Sequence, residues 1–246
     1  ASDVYKRQTL YCAKDGGNYQ VKDPEKLIRI AKEWGVETEG KDIYDLAHEM
    51  AEIGLMEYGK PFGYQRFLDR MPAGQKEKLI ENEIAPRAID REVASSLHMT
   101  HMGCSSLPEA LVKQSIRCGL ADGWGGSMCG TEFSDVLFGT PKPIETEANL
   151  GVMNAENVNI VVHGHDPSLS EMICEYADSK EMIDYAKSMG AKGITVSGVC
   201  CTSNEVAMRR GIPMAGNFLQ QENVVLTGAC AVSYTHLRAH ETSQDL

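Results

Sequence analysis

Residues 157–170, with the sequence NVNIVVHGHDPSLS, constrain the possible fold more than any other part of the chain. The apolar run Val158–Val162 is short and rich in β-branched residues, which is typical of a strand buried in a parallel sheet. The strand is predicted to end at His163-Gly164-His165, because Pro167 cannot continue the pairing. Ser168–Glu171 matches a capping box, the pattern that opens a helix. Two histidines are therefore expected at the carboxyl end of a strand, where open α/β sheets bind their ligands.

The same alternation of strand and helix continues after this motif. Helices are predicted over 168–189 and 204–210, each ended by a glycine. Further strands are predicted over 193–199 and 223–226. Such alternation predicts a parallel sheet with right-handed crossovers. No strand is followed by G-x-G-x-x-G, so a dinucleotide site is not indicated.

The first part of the chain carries helical patterns instead. Asp23-Pro24 is an N-cap followed by a first-turn proline, and apolar residues recur at helical spacing over 42–58. Ser106–Glu109 matches a capping box for a helix to about Leu120. Two shorter helices are predicted over 75–82 and 87–99. We therefore expect an α/β protein: a helical domain followed by the start of a Rossmann-like parallel α/β domain.

The domain boundaries follow from these patterns. Residues 9–150 are predicted to form the helical domain, and residues 151–232 the Rossmann-like domain. Residues 1–8 and 233–246 resemble translated adapter sequence, and both are predicted to be foreign and disordered. We accordingly expect a chain that is truncated at both ends.

Composition excludes several classes of partner. A net charge of −11 argues against nucleic acid and anionic membranes, which attract basic surfaces. No apolar run has transmembrane length and no signal peptide opens the chain, so a cytoplasmic protein is predicted. The eight cysteines include no C-x-x-C, which removes the usual indication of a zinc ribbon or a thioredoxin-like site.

His165 and Cys201 are the candidate metal ligands. Each follows one of two successive strands, and strands joined by a right-handed crossover are neighbours or next-neighbours, which places such residues roughly 5–10 Å apart. Imidazole with thiolate suits iron–sulfur, zinc, nickel or copper. Cys200 and Cys201 are expected to point in different directions, so that only one is a ligand. A buried histidine bonded to backbone is an equal alternative, and a zinc hydrolase is disfavoured because later His and Asp ligands are absent.

Two other features have weaker interpretations. His98 and His101 could share a helix face, but a hydrogen-bonded packing role is preferred over a metal site. The glycine-rich segment 119–130 has no phosphate-loop signature. Its glycines predict a close approach of the backbone to a partner, or a tight contact between helices or domains.

Six segments together resemble the catalytic subunit of anaerobic nickel-dependent carbon monoxide dehydrogenase. They are HMTHMG (98–103), LADGWGGS (120–127), LFGTPKP (137–143), EANLGV (147–152), VNIVVHGHDPSLSE (158–171) and GVCCTSNEVAMRRGIP (198–213). The resemblance covers nearly all of the chain between its two ends. It implies the reaction of CO and water to CO2, two electrons and two protons at a Ni–Fe–S cluster.

By this resemblance, His165 binds the iron outside the cubane and Cys201 is a cluster ligand, and no catalytic residue is assigned beyond these two. His163 and Cys200 match non-ligand positions, and Cys230 lies too early to match the next ligand. The resemblance also implies further [4Fe–4S] clusters, a ferredoxin-like electron acceptor and a homodimer.

The ligands of the electron-transfer clusters and the later cluster cysteines have no counterpart here, so the isolated chain is predicted to be inactive. The nearest rival is the hybrid-cluster protein family of hydroxylamine reductases. The rival from another class is a non-enzymatic α/β interaction module.

Overall fold

The computed structural model describes residues 8–13, 20–165, 167–235 and 238–241, with backbone alone at 232–235 and 238–241. The chain divides into two compact units that meet at Leu137 and Phe138. The sequence placed this boundary near residue 150. The structure places it earlier because the segment before β1 belongs to the second unit: Asn149 N–H donates to Met214 O at 3.0 Å.

The first unit is helical. Residues 8–12 form α1. The other helices are α2 (Pro24–Glu33), α3 (Ile43–Gly59), α4 (Ala73–Glu81), α5 (Ile89–Met99), α6 (Pro108–Leu120) and α7 (Cys129–Phe138), with a 3₁₀ helix at Arg66–Arg70 and a π-helix at Ala121–Met128. Its core is made by fully buried side chains from most of these elements, among them Leu27, Met50, Leu68 and Phe133.

The predicted N-caps can be compared with the observed starts of α2 and α6. The Asp23 side chain accepts from Lys26 N–H at 3.0 Å, so the predicted cap of α2 is confirmed. The predicted cap at Ser106 is wrong, because the N-cap of α6 is Leu107 and makes no side-chain hydrogen bond. Pro108 at the first helical position supplies the start instead.

The glycine-rich segment does not end the helix but widens it. α6 continues through the π-helix into α7. Gln65, which is 1% exposed, donates from Nε2 to Ala121 O at 3.0 Å. A Cβ on Gly125 would lie 2.3 Å from that Nε2 atom. The predicted close approach to the backbone is thus confirmed, and the approaching group is the Gln65 side chain.

The second unit contains a four-stranded sheet in the order β2-β1-β3-β4. Its strands are β1 (Val158–His163), β2 (Ile194–Gly198), β3 (Val232–Thr235) and β4 (Arg238–Glu241), and its helices are α8 (Pro167–Ala177), α9 (Lys180–Ser188), α10 (Cys201–Arg210) and α11 (Gln221–Leu226), with 3₁₀ turns at Leu150–Val152 and Phe218–Gln220. β1 pairs in parallel with β2 and β3, and β4 runs antiparallel to β3. The α/β class predicted from the sequence is confirmed.

Two helix predictions in this unit are wrong in detail. The single helix predicted over 168–189 is two helices, because the Ser179 side chain accepts from Met182 N–H and starts α9. Ser168 is not an N-cap, since α8 already begins at Pro167.

The third strand lies elsewhere than predicted. Residues 223–226 belong to α11, whose Val224 packs in the core with Val161, Val199, Ala215 and Cys230. β3 lies at Val232–Thr235, and with β4 it occupies part of the range in which no strand was predicted. Short apolar runs are compatible with either a buried helix or a strand, and the choice depends on tertiary contacts. That the ends are foreign stays a prediction, and residues 1–7, 236–237 and 242–246 lie outside the described residues.

Within the described residues, no helix combines the length and the apolar character that a membrane crossing requires.

Candidate metal centre

The parallel pairing of β1 and β2 brings the two sequence motifs to one edge of the sheet. Val162 is in register with Gly198, close to the carboxyl end of both strands. The segment His163-Gly164-His165 therefore leaves the sheet beside Cys200 and Cys201. The sequence predicted that the two strands are neighbours or next-neighbours, and the structure shows that they are neighbours.

Gly164 links the two motifs directly. Its N–H donates to Cys200 Sγ at 3.1 Å, and its carbonyl accepts from Thr202 N–H at 3.0 Å. Its φ of 107° lies in the region that favours glycine, so the turn between the two histidines requires this residue. Because Gly164 contacts the residues on both sides of Cys201, the backbones of His165 and Cys201 lie close together.

The two adjacent cysteines have different environments. Cys200 is 8% exposed, whereas Cys201 is exposed and is the first residue of α10. Burial raises the pKa of the Cys200 thiol, although the hydrogen bond from Gly164 opposes the shift. Cys200 is thus a buried thiol inside the turn, and Cys201 presents its sulfur to the outside.

The two histidines also differ. His163 is the last residue of β1 and is half-buried, while His165 lies in the turn that follows and is exposed. The exposed members of the two motifs, His165 and Cys201, are the two that the sequence selected as ligands. The alternative of a buried, backbone-bonded histidine does not describe His165.

Ser203 and Gly198 are parts of the site that the sequence did not identify. Ser203 Oγ accepts from Cys200 N–H at 2.8 Å and donates to Cys200 O at 2.6 Å. The side chain fits because residue 198 has no Cβ: one built there would lie 2.4 Å from Ser203 Cβ. The only sequence signal was a small residue at each position, which many unrelated contacts would also produce.

Buried ion pairs join the helices that carry the two motifs. The Glu171 carboxylate of α8 faces Arg209 of α10 at 3.6 Å and also pairs with Arg210. Arg209 Nε donates to Gly139 O at 2.8 Å. α8 and α10 are therefore held together independently of the turn at Gly164.

The donors at this edge fit part of a metal cluster. An imidazole and a thiolate are suitable ligands for nickel and iron. Among the side chains that the structure describes, no group of three or more His, Cys, Asp and Glu residues could hold a metal ion. Cys230 packs in the core and does not extend the pair. The described residues therefore do not form a complete ligand set, and His165 and Cys201 are candidate donors.

The remaining histidine pair behaves differently from the prediction. His98 lies in the last turn of α5, and His101 follows the end of that helix. Both are exposed, so the predicted packing role is wrong. The helix ends at Met99, so His101 lies outside it and the two residues do not share a helix face.

An α/β unit with an exposed histidine and an exposed cysteine at the carboxyl edge of its parallel strands defines a candidate metal-binding protein. Residues 2–235 match the Prismane/CO dehydrogenase family, and the chain belongs to that family.

Named relatives agree with this assignment. The chain is 45% identical over 215 residues to carbon monoxide dehydrogenase 1 of Methanosarcina mazei, covering 87% of this chain and 34% of the relative. It is 41% identical over 215 residues to the carbon monoxide dehydrogenase/acetyl-CoA synthase subunit beta of Moorella thermoacetica, covering 86% and 32%. The chain thus spans about a third of the length of these relatives.

A solved structure shows the same fold. It is the as-isolated, Ni-free carbon monoxide dehydrogenase from Thermococcus sp. AM4, produced without CooC maturase. The TM-score is 0.89 at 46% identity, and the match covers 95% of this chain and 38% of that one.

Proposed function

We propose that this chain is part of an oxidoreductase that interconverts CO and water with CO2, two electrons and two protons. One observation carries the proposal: a hydrogen bond from Gly164 N–H to Cys200 Sγ joins the two segments that carry the exposed residues His165 and Cys201, in a chain that matches the Prismane/CO dehydrogenase family. Similar relatives are named carbon monoxide dehydrogenases, which favours this reaction over the hydroxylamine reductase alternative.

The two exposed residues would hold part of a Ni–Fe–S cluster. Cys201 would supply its sulfur from the start of α10, and His165 an imidazole nitrogen to the iron outside the cubane. When bound, such a cluster supplies redox-active metal and lowers the pKa of coordinated water. The second ring nitrogen of His165 would donate a hydrogen bond, which orients the ring toward the metal.

The chain's other residues define the surroundings of these donors. Val161 and Val162, which precede the turn in β1, are buried, so the strand that leads to His165 is packed inside the unit. The buried Cys200 leaves its neighbour as the accessible thiol of the pair. The protein would therefore contribute two accessible donors next to a packed strand.

The rest of the ligand set would come from elsewhere in the longer protein. A cubane needs about four thiolates, and Cys201 is one. Further [4Fe–4S] clusters, a ferredoxin-like acceptor, a homodimer and a cytoplasmic location belong to the proposal and rest on the resemblance and the sequence. The 246-residue chain by itself is expected to be inactive.

A chimera tests the function. Residues 9–232 would replace the matching segment of the Methanosarcina mazei relative, and CO-dependent reduction of methyl viologen would be measured. We expect an active chimera, with a loss of at least about 100-fold in His165→Ala and Cys201→Ser, because outer-shell changes alone cost about 10–100-fold. Cys104→Ser removes another exposed thiol and should retain activity. An active Cys201→Ser chimera would contradict the assignment.

The isolated chain provides the complementary experiment. After incubation with iron, sulfide and nickel under anaerobic conditions, it should not reduce viologen with CO. Turnover by the chain alone would show that two donors and the rest of this sequence suffice.

A further inference from the structure

The turn at Gly164 has a sulfur atom as its hydrogen-bond acceptor. Gly164 N–H donates to Cys200 Sγ at 3.1 Å, and the same sulfur lies 3.8 Å from Gly164 O. A thiol can both donate and accept weak hydrogen bonds, so one side chain contacts both polar groups of this peptide residue. The residue held in this way directly precedes His165.

Cys200 is itself fixed on its other side. Its N–H and its carbonyl both bond to Ser203 Oγ, at 2.8 and 2.6 Å. Ser203 is fully buried and fills the space that Gly198 leaves open. The backbone of Cys200 is therefore held at the start of α10 by contacts that do not involve the turn at Gly164.

Other hydrogen bonds join the two segments before and after this contact. On the strand side, Val199 N–H donates to Val162 O at 3.2 Å. Thr202 N–H donates to Gly164 O at 3.0 Å, and Thr202 Oγ1 donates to Ser170 Oγ at 3.3 Å. These contacts join α10 to the carbonyl side of the turn and to α8. Within the described contacts, the Gly164 amide, on the strand side of the turn, is bonded by Cys200 alone.

We propose that Cys200 is a positioning residue, whose thiol holds the His165 turn against the start of α10 and thereby keeps His165 beside Cys201. This inference rests on the proposed function, in which those two residues are the ligands. It gives the two adjacent cysteines separate roles: Cys201 binds the metal, and Cys200 sets the distance to the second donor.

The first measurement needs no metal. Hydrogen exchange of the Gly164 amide would be followed by NMR in the full chain. Cys200→Ala removes the acceptor and should accelerate exchange at least about tenfold, while Cys200→Ser offers a hydroxyl acceptor and should restore part of the protection. Cys174→Ala is the matched control, since Cys174 is also a buried thiol and lies in α8. Thermal unfolding of each variant separates local opening from loss of the fold.

The second measurement uses Co²⁺ alone as a probe, with binding followed by the sulfur-to-cobalt absorption band. Cys200→Ala should weaken binding about tenfold, the lower range for residues that orient a metal ligand. Cys200→Ser should recover part of this loss, and Cys174→Ala should bind like the parent chain. His165→Ala and Cys201→Ser should lose the band of the shared site.

The outcomes separate this inference from the proposed function. Unchanged Gly164 exchange in Cys200→Ala overturns the positioning role, and so does faster exchange with unchanged Co²⁺ affinity. If His165→Ala and Cys201→Ser both bind Co²⁺ like the parent, the ligand assignment of the proposed function fails. In that case, the exchange measurement alone tests whether Cys200 restrains the turn at Gly164.

Discussion

Replacing Gly198 by alanine tests the packing on which the candidate metal centre is built. A Cβ at this position would lie 2.4 Å from Ser203 Cβ and 3.0 Å from Met214 Sδ. Two carbon atoms in contact prefer a separation of about 3.5–4.0 Å. Ser203 would therefore have to move by about 1 Å, although its side chain is fully buried.

The expected cost combines two effects. Forcing extra volume into a packed site costs about 1–3 kcal/mol. Displacing Ser203 also weakens its two hydrogen bonds to Cys200, and one such bond contributes about 1 kcal/mol. Gly198→Ala should therefore lower the free energy of unfolding by about 3 kcal/mol, which corresponds to a fall in Tm of about 6–12 °C for a chain of this size.

Gly193→Ala provides the matched control. Gly193 immediately precedes β2, and a Cβ there would meet nothing closer than Asn157 Oδ1 at 3.7 Å, an ordinary contact. Its free energy of unfolding should change by no more than about 0.5 kcal/mol. Urea unfolding at pH 7, followed by circular dichroism, compares the two variants. Equal midpoints for Gly198→Ala and Gly193→Ala would refute the argument that Ser203 has no room to move.

Three further outcomes follow from the described contacts. Burial raises the pKa of the Glu92 carboxyl, but hydrogen bonds from Arg87 and Gln114 outweigh this effect and hold the pKa below its ordinary value. Glu92→Gln should therefore lower the free energy of unfolding by about 3 kcal/mol at neutral pH. In urea unfolding, the difference between the variant and the parent should shrink as the pH falls below about 4.5. Gln65→Leu leaves Ala121 O without its side-chain donor and should destabilise the chain by about 1–3 kcal/mol in the same assay. Burial raises the pKa of Cys174 to about 11, so iodoacetamide at pH 8 should modify the exposed Cys201 and leave Cys174 intact in peptide mass spectra; equal labelling of the two would contradict their assigned burial.

The candidate site was partly predictable because its chemistry lies in two short segments. His163-Gly164-His165 and Cys200-Cys201 each follow a strand, and the β1–β2 pairing brings them together as expected. The sequence predicted that the two adjacent cysteines point in different directions. Their local pattern did not show which of the two is buried. That depends on Ser203 and Gly164, whose contacts with Cys200 form only when α10 packs against the end of β1.

For the glycine-rich segment, the sequence predicted a close contact but not the residue that makes it. Its glycines indicated a close approach, and the structure identifies Gln65 as the approaching side chain. Nothing in the local pattern of residues 119–130 refers to residue 65. A π-helix also differs from an α-helix by one residue in its hydrogen-bond register, which periodicity does not resolve.

The sequence by itself determined the features that depend on neighbouring residues: the Asp23 cap, the strand Val158–His163, and the end of α10 at Gly211, whose φ is 74°. Only the tertiary structure decided that Val224 belongs to a helix and that Val232–Thr235 forms the strand beside β1. Local conformation follows from backbone sterics and from hydrogen bonds between residues that are close together in the chain, so it can be predicted from the sequence. The choice between two apolar runs for one place in a sheet depends on which of them fills the core, and that is decided by residues far away in the chain.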